Sequence, residues 1–323
     1  MLLTTEVSWV LDGMTMFGTV VRPEGAGPFP GVIMVAGSGP TDRDWCSPLL
    51  PGTNGSARLL AEALAAAGIA SLRYDKRASG PHVRENVPAM MGRISMAFHL
   101  DELVAAVNVL AGQDFVDPSR LAGLGNSEGT LHVLHYATTP QAHPFAGIVL
   151  AAPPGRAVGQ LLRTQLAAQF AQVEGGDALM ALVEASLTRY EAGEPMNPDP
   201  GLPEPIRQLL ASFETPLNLP FARELWSENA GVRLVKATLP TLVIIGGKDI
   251  QVDTHLDGDP LQAAAAGMSN VVFAFPPNAN HVLKAETRNV AEAIADPHYN
   301  EADTHLDPEA LHLILDWLGD LFR

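Results

Sequence analysis

A serine bounded by two glycines is the feature of this sequence best suited to chemistry. Ser127 lies in the pattern G-x-S-x-G, between Gly125 and Gly129, directly after the apolar run 121–124. At a sharp strand-to-helix turn, glycines at these positions avoid clashes and let the serine hydroxyl project above the sheet edge. The spacing predicts that Ser127 is a nucleophile. For the five-residue motif alone, a plain glycine-bounded turn is the alternative interpretation.

A serine hydroxyl is a weak nucleophile at neutral pH, so the chain must also supply a base and a group that orients the base. Asp249 comes just after the apolar run 242–245, and His281 follows the apolar run 271–275 through a short loop. The sequence therefore predicts a triad of Ser127, His281 and Asp249. Two other acids in the same loop are alternatives for the third member: Asp253 and Asp257.

Short apolar runs separated by helical segments predict the elements that position these groups. Such runs are typical of strands buried on both faces of a mostly parallel sheet. The predicted strands cover residues 31–36, 69–74, 121–124, 148–152, 242–245 and 271–275, and the predicted helices cover 57–67, 96–111 and 127–138. Apolar residues also alternate on both sides of Asp12-Gly13, which predicts an antiparallel hairpin at the N-terminus. The pattern indicates a doubly wound α/β fold.

The alternation of strands and helices breaks in the middle of the chain. Between residues 154 and 235 helical spacing dominates and no strand-like run is present, and the prolines of segment 194–205 favour turns between helices. We expect residues 154–235 to form a helical cap inserted into one α/β core, which is built from residues 1–153 and 236–323.

With these segments aligned, the chain resembles the α/β-hydrolase superfamily, and more narrowly its bacterial serine esterases of dienelactone-hydrolase-like or serine-aminopeptidase-like pattern. In that superfamily the triad follows the order Ser, Asp or Glu, then His, as it does here. Four further segments carry the resemblance: 37–44, 73–77, 117–120 and 280–284. The resemblance covers the core and not the insertion. The resemblance is imperfect at Asn126 and Ala36, where histidine is common in the family. Both positions line the floor of the predicted site, so these differences can alter how the site is supported and which substrates it selects.

An oxyanion hole needs two backbone N–H groups, and the loss of one such donor costs about 3 to 4 kcal/mol of transition-state stabilisation. The turn geometry makes the N–H of Glu128 the first donor, and the resemblance implies that the second is the N–H of Ser38. A phosphate-binding loop is a poorer interpretation of segment 37–39, because the lysine and Ser/Thr of a P-loop are missing. Candidate substrate-pocket residues are Gly37, Asn126, Met90 and Met91.

Charged residues of opposite sign follow two of the predicted strands, in segments 42–44 and 75–77. We expect them to form structural ion pairs that fix the oxyanion loop, with substrate binding as the alternative. His132 and His135 lack the spacing of an H-E-x-x-H zinc site, and the single cysteine, Cys46, excludes a disulfide and a cysteine-based metal site. No metal and no cofactor are expected.

The overall composition limits the partners of this 323-residue chain. With 36 acidic and 20 basic residues its formal charge is −16, which argues against nucleic acid and against stable association with anionic membranes. The N-terminal residues lack the basic and apolar regions of a signal peptide, and no apolar run reaches transmembrane length, so a cytoplasmic location is expected.

These observations together predict a serine hydrolase that acts on small-molecule carboxylic esters through an acyl-enzyme. The same triad also serves thioesterases, acyltransferases, amide or peptide hydrolases and carbon–carbon bond hydrolases, and the sequence does not separate them. A non-catalytic binding protein on this fold is a further alternative. The sequence also leaves open whether the protein is a monomer or a homodimer.

Overall fold

A computed structural model of the protein describes residues 2–48, 52–295, 301–302 and 304–323. Its centre is one eight-stranded sheet. The strands are β1 (Leu2–Leu11), β2 (Met14–Pro23), β3 (Phe29–Val35), β4 (Ala70–Tyr74), β5 (Val116–Asn126), β6 (Gly147–Ala151), β7 (Thr241–Ile244) and β8 (Val271–Ala274). They lie in the order β1-β2-β4-β3-β5-β6-β7-β8, and only the pairs β1–β2 and β2–β4 are antiparallel. The predicted mostly parallel sheet is confirmed.

Helices connect the parallel strands and cover both faces of the sheet. Those in the described part of the chain are α1 (Ser56–Ala66), α2 (Val83–Met90), α3 (Met96–Ala111), α4 (Glu128–Ala137), α5 (Val158–Phe170), α6 (Gly176–Glu191), α7 (Glu204–Ser212), α8 (Phe221–Trp226), α9 (Ala230–Leu234), α10 (Gly258–Ala264), α11 (Val290–Ala295) and α12 (Pro308–Leu321). None of these described helices has the length and apolar character needed to cross a bilayer.

The N-terminal hairpin forms where the alternating pattern predicts it. Leu11 pairs with Met14, and the two residues between them, Asp12 and Gly13, have φ angles of 50° and 78°. Two consecutive residues with positive φ make the tight turn whose twist matches the strands, and aspartate followed by glycine favours it. β2 then pairs with β4, so the hairpin extends the parallel sheet at one edge.

Side chains of the central strands alternate between two apolar layers. In β3, Val32 and Met34 belong to one buried cluster with α1 and α12, whereas Ile33 and Val35 belong to the other with α3 and α4. Because both faces are covered, these strands appear in the sequence as continuous apolar runs rather than as an apolar and polar alternation. The parallel order of β3 and β5 to β8 places their carboxyl ends at one edge of the sheet.

Helices α5 to α9 fill the chain between β6 and β7, and no strand occurs in this described segment. Its two ends are joined at the base, since Ala230 N donates to Pro154 O over 2.8 Å and Val158 N donates to Glu228 O over 3.1 Å. The helices share an apolar cluster of their own: Leu166, Phe170, Val183, Leu187, Tyr190, Met196, Leu202 and Leu210. That residues 154–235 act as a cap stays a prediction.

Candidate active site

Ser127 occupies the turn between β5 and α4 in a backbone conformation that residues other than glycine rarely adopt. Its φ is 53° and its ψ is −124°, and its side chain is half-buried. A Cβ on Gly125 would collide with the backbone of Gly129, and a Cβ on Gly129 would collide with the carbonyl oxygen of Val35. Both glycines of the motif are therefore required by packing, as expected for a serine held at a sharp strand-to-helix turn.

Asp249 and His281 lie in the loops that follow β7 and β8, and their side chains are paired. His281 Nδ1 is 2.8 Å from Asp249 Oδ2 and 3.0 Å from Oδ1. The carboxylate is held in place because its Oδ1 also accepts the N–H groups of Gln251, over 2.7 Å, and Val252, over 2.9 Å. Both paired residues are 5% exposed. An imidazole that donates Nδ1–H to this carboxylate keeps Nε2 as an acceptor, which is the arrangement a general base needs.

The two alternative acids have other partners. Asp257 is fully buried and accepts two bonds from the guanidinium of Arg156, Nε to Oδ1 over 3.0 Å and NH2 to Oδ2 over 2.6 Å. Asp253 Oδ1 accepts the N–H groups of His255, over 2.8 Å, and Leu256, over 2.7 Å. Of the three acids in this loop, Asp249 is therefore the one beside the imidazole.

Asn126 joins the serine turn to the histidine loop. Its side-chain Nδ2 donates to the backbone oxygen of His281 over 2.9 Å, and the residue is 3% exposed. Asn280 Oδ1 in turn accepts the N–H groups of Val282, over 3.1 Å, and Lys284, over 2.9 Å, which folds the loop that carries the histidine. The amide of Asn126 thus makes a structural bond, and its assignment to a substrate pocket stays a prediction.

The predicted oxyanion residues also lie at this edge of the sheet. Gly37 follows β3 and passes so close to the serine that a Cβ on it would lie 3.3 Å from Ser127 Cβ. Ser38 is exposed, and its carbonyl oxygen accepts the hydroxyl of Thr41 over 2.7 Å. Glu128 is the first residue of α4, and its side chain points into the protein, where it is 6% exposed.

A buried ammonium contacts both of these oxyanion segments. Lys76 Nζ donates to Gly37 O over 2.5 Å and lies 3.4 Å from Glu128 Oε1, which is also 3.2 Å from His132 Nε2. Burial raises the pKa of Glu128, but the Lys76 charge and the His132 hydrogen bond outweigh it and lower that pKa to about 2. Glu128 is thus a carboxylate at neutral pH.

This arrangement continues through a second buried carboxylate. Glu102 Oε1 accepts the N–H of Arg77 over 2.8 Å and its Nε over 3.0 Å, while Oε2 is 2.8 Å from His99 Nδ1. Burial raises the pKa of Glu102, but His99 and Arg77 lower it to about 2. The rings of His99 and His132 are 4.7 Å apart. We call this set the buried polar line: Lys76, Glu128, His132, His99, Glu102 and Arg77.

One ion pair expected between segments 42–44 and 75–77 is present, whereas Lys76 and Arg77 pair elsewhere, within the buried polar line. Arg43 NH2 is 2.6 Å from Asp75 Oδ2, and the Arg43 N–H donates to Asp75 Oδ1 over 2.8 Å. Arg73 Nε is 2.5 Å from Asp44 Oδ1. These contacts fix the chain that follows the oxyanion loop against the end of β4.

Two methionines are the remaining substrate-pocket candidates. Met90 is fully buried in a cluster with Met14 and Phe98, whereas Met91 is 49% exposed, and their assignment to a substrate pocket stays a prediction. Within the described ranges, no group of three or more His, Cys, Asp or Glu side chains is arranged to hold a metal ion.

Two contacts in this region were not predicted from the sequence. Asn126 and His281 are separated by 155 positions, and Lys76 and Glu128 by 52, so no local pattern indicates either pair. The sequence does contain a signal for the contact between Glu128 and His132, because residues four positions apart lie on the same face of a helix.

No family model matches the sequence. The chain is similar to the esterase EstD of Thermotoga maritima, with 27% identity over 303 residues that cover 93% of this chain and 65% of EstD. This chain therefore corresponds to less than two thirds of that relative's length.

Solved structures identify the fold. The α/β hydrolase GrgF of Penicillium sp. sh18 superimposes with a TM-score of 0.59 at 17% identity and covers 99% of both chains. The dienelactone hydrolase of Anabaena variabilis gives a TM-score of 0.52 at 16% identity, covering 100% of this chain and 99% of the other. The protein has the α/β-hydrolase fold, so the resemblance found in the sequence is confirmed at this level.

Replacing Gly129 by alanine should disrupt the serine turn. The new Cβ would collide with backbone carbonyl oxygens of Val35 and Ala36, which cannot move without breaking β3, and we expect a loss of about 3 kcal/mol or more in the free energy of unfolding. Gly319→Ala in α12 is the matched control, because its Cβ would meet no atom within 4 Å. Urea denaturation of both variants measures the difference, and equal stability would contradict the packing argument.

Acid should destabilise the fold through His132. Burial, together with His99 and Lys76, outweighs Glu128 and lowers the pKa of His132 from 6.5 to about 4. Between those values the unfolded chain binds a proton that the folded protein does not, so the free energy of unfolding falls as pH drops through this window, by up to about 3 kcal/mol for this residue.

We expect His132→Gln to flatten the pH dependence of stability between pH 6.5 and 4, as measured by denaturant titrations across that range. His312→Gln is the control, because that side chain is 75% exposed on α12. A slope that His132→Gln leaves unchanged would show that other groups cause the acid sensitivity.

Proposed function

We propose that this protein is a serine hydrolase that cleaves carboxylic esters through an acyl-enzyme. The observation that carries the proposal is the hydrogen-bonded His281–Asp249 pair, which is tied through Asn126 to the turn that bears Ser127. The similarity to an esterase of Thermotoga maritima supports the choice of ester over other acyl compounds.

The proposed reaction proceeds in two halves. Ser127 Oγ attacks the acyl carbonyl while His281 Nε2 takes the hydroxyl proton, and Asp249 stabilises the imidazolium that results. The tetrahedral intermediate collapses, the C–O bond to the alcohol breaks, and His281 returns the proton to the leaving alkoxide. A water molecule then attacks the acyl-enzyme with the same base, which releases the acid and restores the serine.

In both halves of this reaction, negative charge develops on the former carbonyl oxygen, and its stabilisation lowers the activation barrier. We assign its stabilisation to the backbone N–H groups of Ser38 and Glu128. The support for this assignment is the close approach of Gly37 to Ser127 and the position of Glu128 at the start of α4. Preformed donors of this kind act without reorganisation at the moment of reaction.

The helical segment 154–235 supplies the proposed cap, which we expect to limit the size of the ester. Its first residues are anchored beside the acid loop, because Arg156 forms a two-bond ion pair with the fully buried Asp257. Movement of the cap would then be confined to its outer helices, and the acyl site beneath would keep its geometry.

Ser127→Ala should abolish turnover of short p-nitrophenyl esters, because the proposed acyl-enzyme forms on the hydroxyl oxygen that this change removes. Ser119→Ala is the control, since Ser119 is exposed and bonds only locally to Asp117 in the described contacts. Initial rates, together with labelling by a fluorophosphonate located by peptide mass spectrometry, measure the outcome. Substantial turnover by Ser127→Ala, or labelling elsewhere, would sink the proposal. Comparing esters with thioesters and anilides then tests the substrate class.

Asp249→Asn should lower kcat on the order of 10⁴-fold, because the imidazole loses the partner that fixes its tautomer and stabilises its cation. Asp253→Asn is the matched control in the same loop, where the carboxylate accepts backbone N–H groups and does not contact His281. We expect that variant to keep wild-type kcat within about threefold. If both variants behaved alike, the triad acid would have been assigned wrongly.

A further inference from the structure

Lys76 is buried in a position where a charged side chain is energetically unfavourable. Its side chain is 3% exposed, and an ammonium removed from water loses several kcal/mol of hydration that its contacts must offset. Those contacts include the backbone oxygen of Gly37 at 2.5 Å and the carboxylate of Glu128 at 3.4 Å. The chemical steps of ester cleavage make no direct use of this group.

The bond to Gly37 determines the direction of a neighbouring donor. The carbonyl of Gly37 and the N–H of Ser38 belong to one peptide group, which is planar and trans, so the two bonds point in opposite directions. When the carbonyl points down to the buried ammonium, the N–H must point away from it. The ammonium also polarises the peptide group, which strengthens Ser38 N–H as a hydrogen-bond donor.

The contact between Lys76 and Glu128 reaches the chain segment that directly follows Ser127. Glu128 carries the other proposed donor on its backbone, and its carboxylate is held between Lys76 and His132. A side chain fixed at two points fixes the first turn of α4 against the end of β4. Lys76 therefore contacts both chain segments that flank the hydroxyl of Ser127.

We propose that Lys76 is a positioning residue for the oxyanion hole, which it aligns by holding the Gly37–Ser38 peptide and Glu128 in one fixed relation. The inference rests on the proposed function, since it concerns the donors of the same site. It differs from a purely structural ion pair, which would require only that the charges of Lys76 and Glu128 balance.

Three variants separate these roles. Glu128→Gln keeps an acceptor for the ammonium and leaves the Gly37 bond intact. Lys76→Met removes the bond and leaves a buried carboxylate without its cation. The double variant, Lys76→Met with Glu128→Gln, restores charge balance without restoring the donor to Gly37. Each is compared with the wild type for kcat and KM on p-nitrophenyl acetate, and for thermal unfolding.

A second readout is inhibition by an alkyl trifluoromethyl ketone. Its carbonyl adds the Ser127 hydroxyl to give a tetrahedral adduct whose oxygen occupies the oxyanion hole, so its Ki reports on donor alignment. A residue that served only folding would change the unfolding temperature without raising this Ki in the folded enzyme.

We expect both variants that carry Lys76→Met to lose about 10- to 100-fold in kcat with little change in KM, and Glu128→Gln to lose less, because its bond from Lys76 to Gly37 is intact. The Ki of the ketone should rise by a similar factor. Recovery of kcat in the double variant to the level of Glu128→Gln would overturn the inference, because charge balance alone would then suffice. A double variant that fails to fold would overturn it as well.

The outcomes also separate this inference from the proposed function. A wild-type protein that neither hydrolyses esters nor reacts with fluorophosphonate at Ser127 removes the proposed function, and the role of Lys76 with it. An active wild type with an equally active double variant removes the role of Lys76 alone.

Discussion

The backbone conformation of Ser127 is the constraint on which the rest of the site depends. With φ at 53° and ψ at −124°, this residue costs on the order of 1 to 3 kcal/mol and persists only because its surroundings hold it there. β5 is paired on both sides, and α4 packs so closely on the end of β3 that only glycine fits at position 129. The pairing and packing of the central sheet thus hold the hydroxyl of Ser127 at the sheet edge.

Beneath that turn the protein buries charge rather than apolar surface. Two carboxylates, an ammonium, a guanidinium and two imidazoles form the buried polar line, and each charged member faces one of opposite sign. An apolar core of equal volume would often be at least as stable. Hydrogen bonds have a direction that apolar contacts lack, so this set fixes the orientation of the strand ends that meet below the serine. The buried polar line thus supplies directional contacts, and we expect acid sensitivity of the fold to accompany them.

The sequence predicted what depends on local pattern. The hairpin at Asp12-Gly13, the buried strands and the glycine-bounded turn all follow from residues close together in the chain. The observed strands lie close to the predicted bounds, except that β5 begins well before the predicted run 121–124. The order of the apolar runs was also enough to place Asp249 and His281 in successive loops. The bonds of Asn126 to His281 and of Lys76 to Gly37 could not be predicted, because they join distant segments whose approach only the folded sheet determines.

The base of the inserted helical segment has a consequence for how this protein could diversify. Hydrogen bonds between Pro154 and Ala230 and between Val158 and Glu228 close the segment at its stem, and the helices beyond have an apolar cluster of their own. We expect residues between the stem positions to tolerate exchange, insertion or deletion with little effect on the sheet, because these helices have an apolar cluster of their own. Under the proposed function, sequence changes confined to this segment would alter which esters enter while the sheet edge that bears Ser127 stays the same.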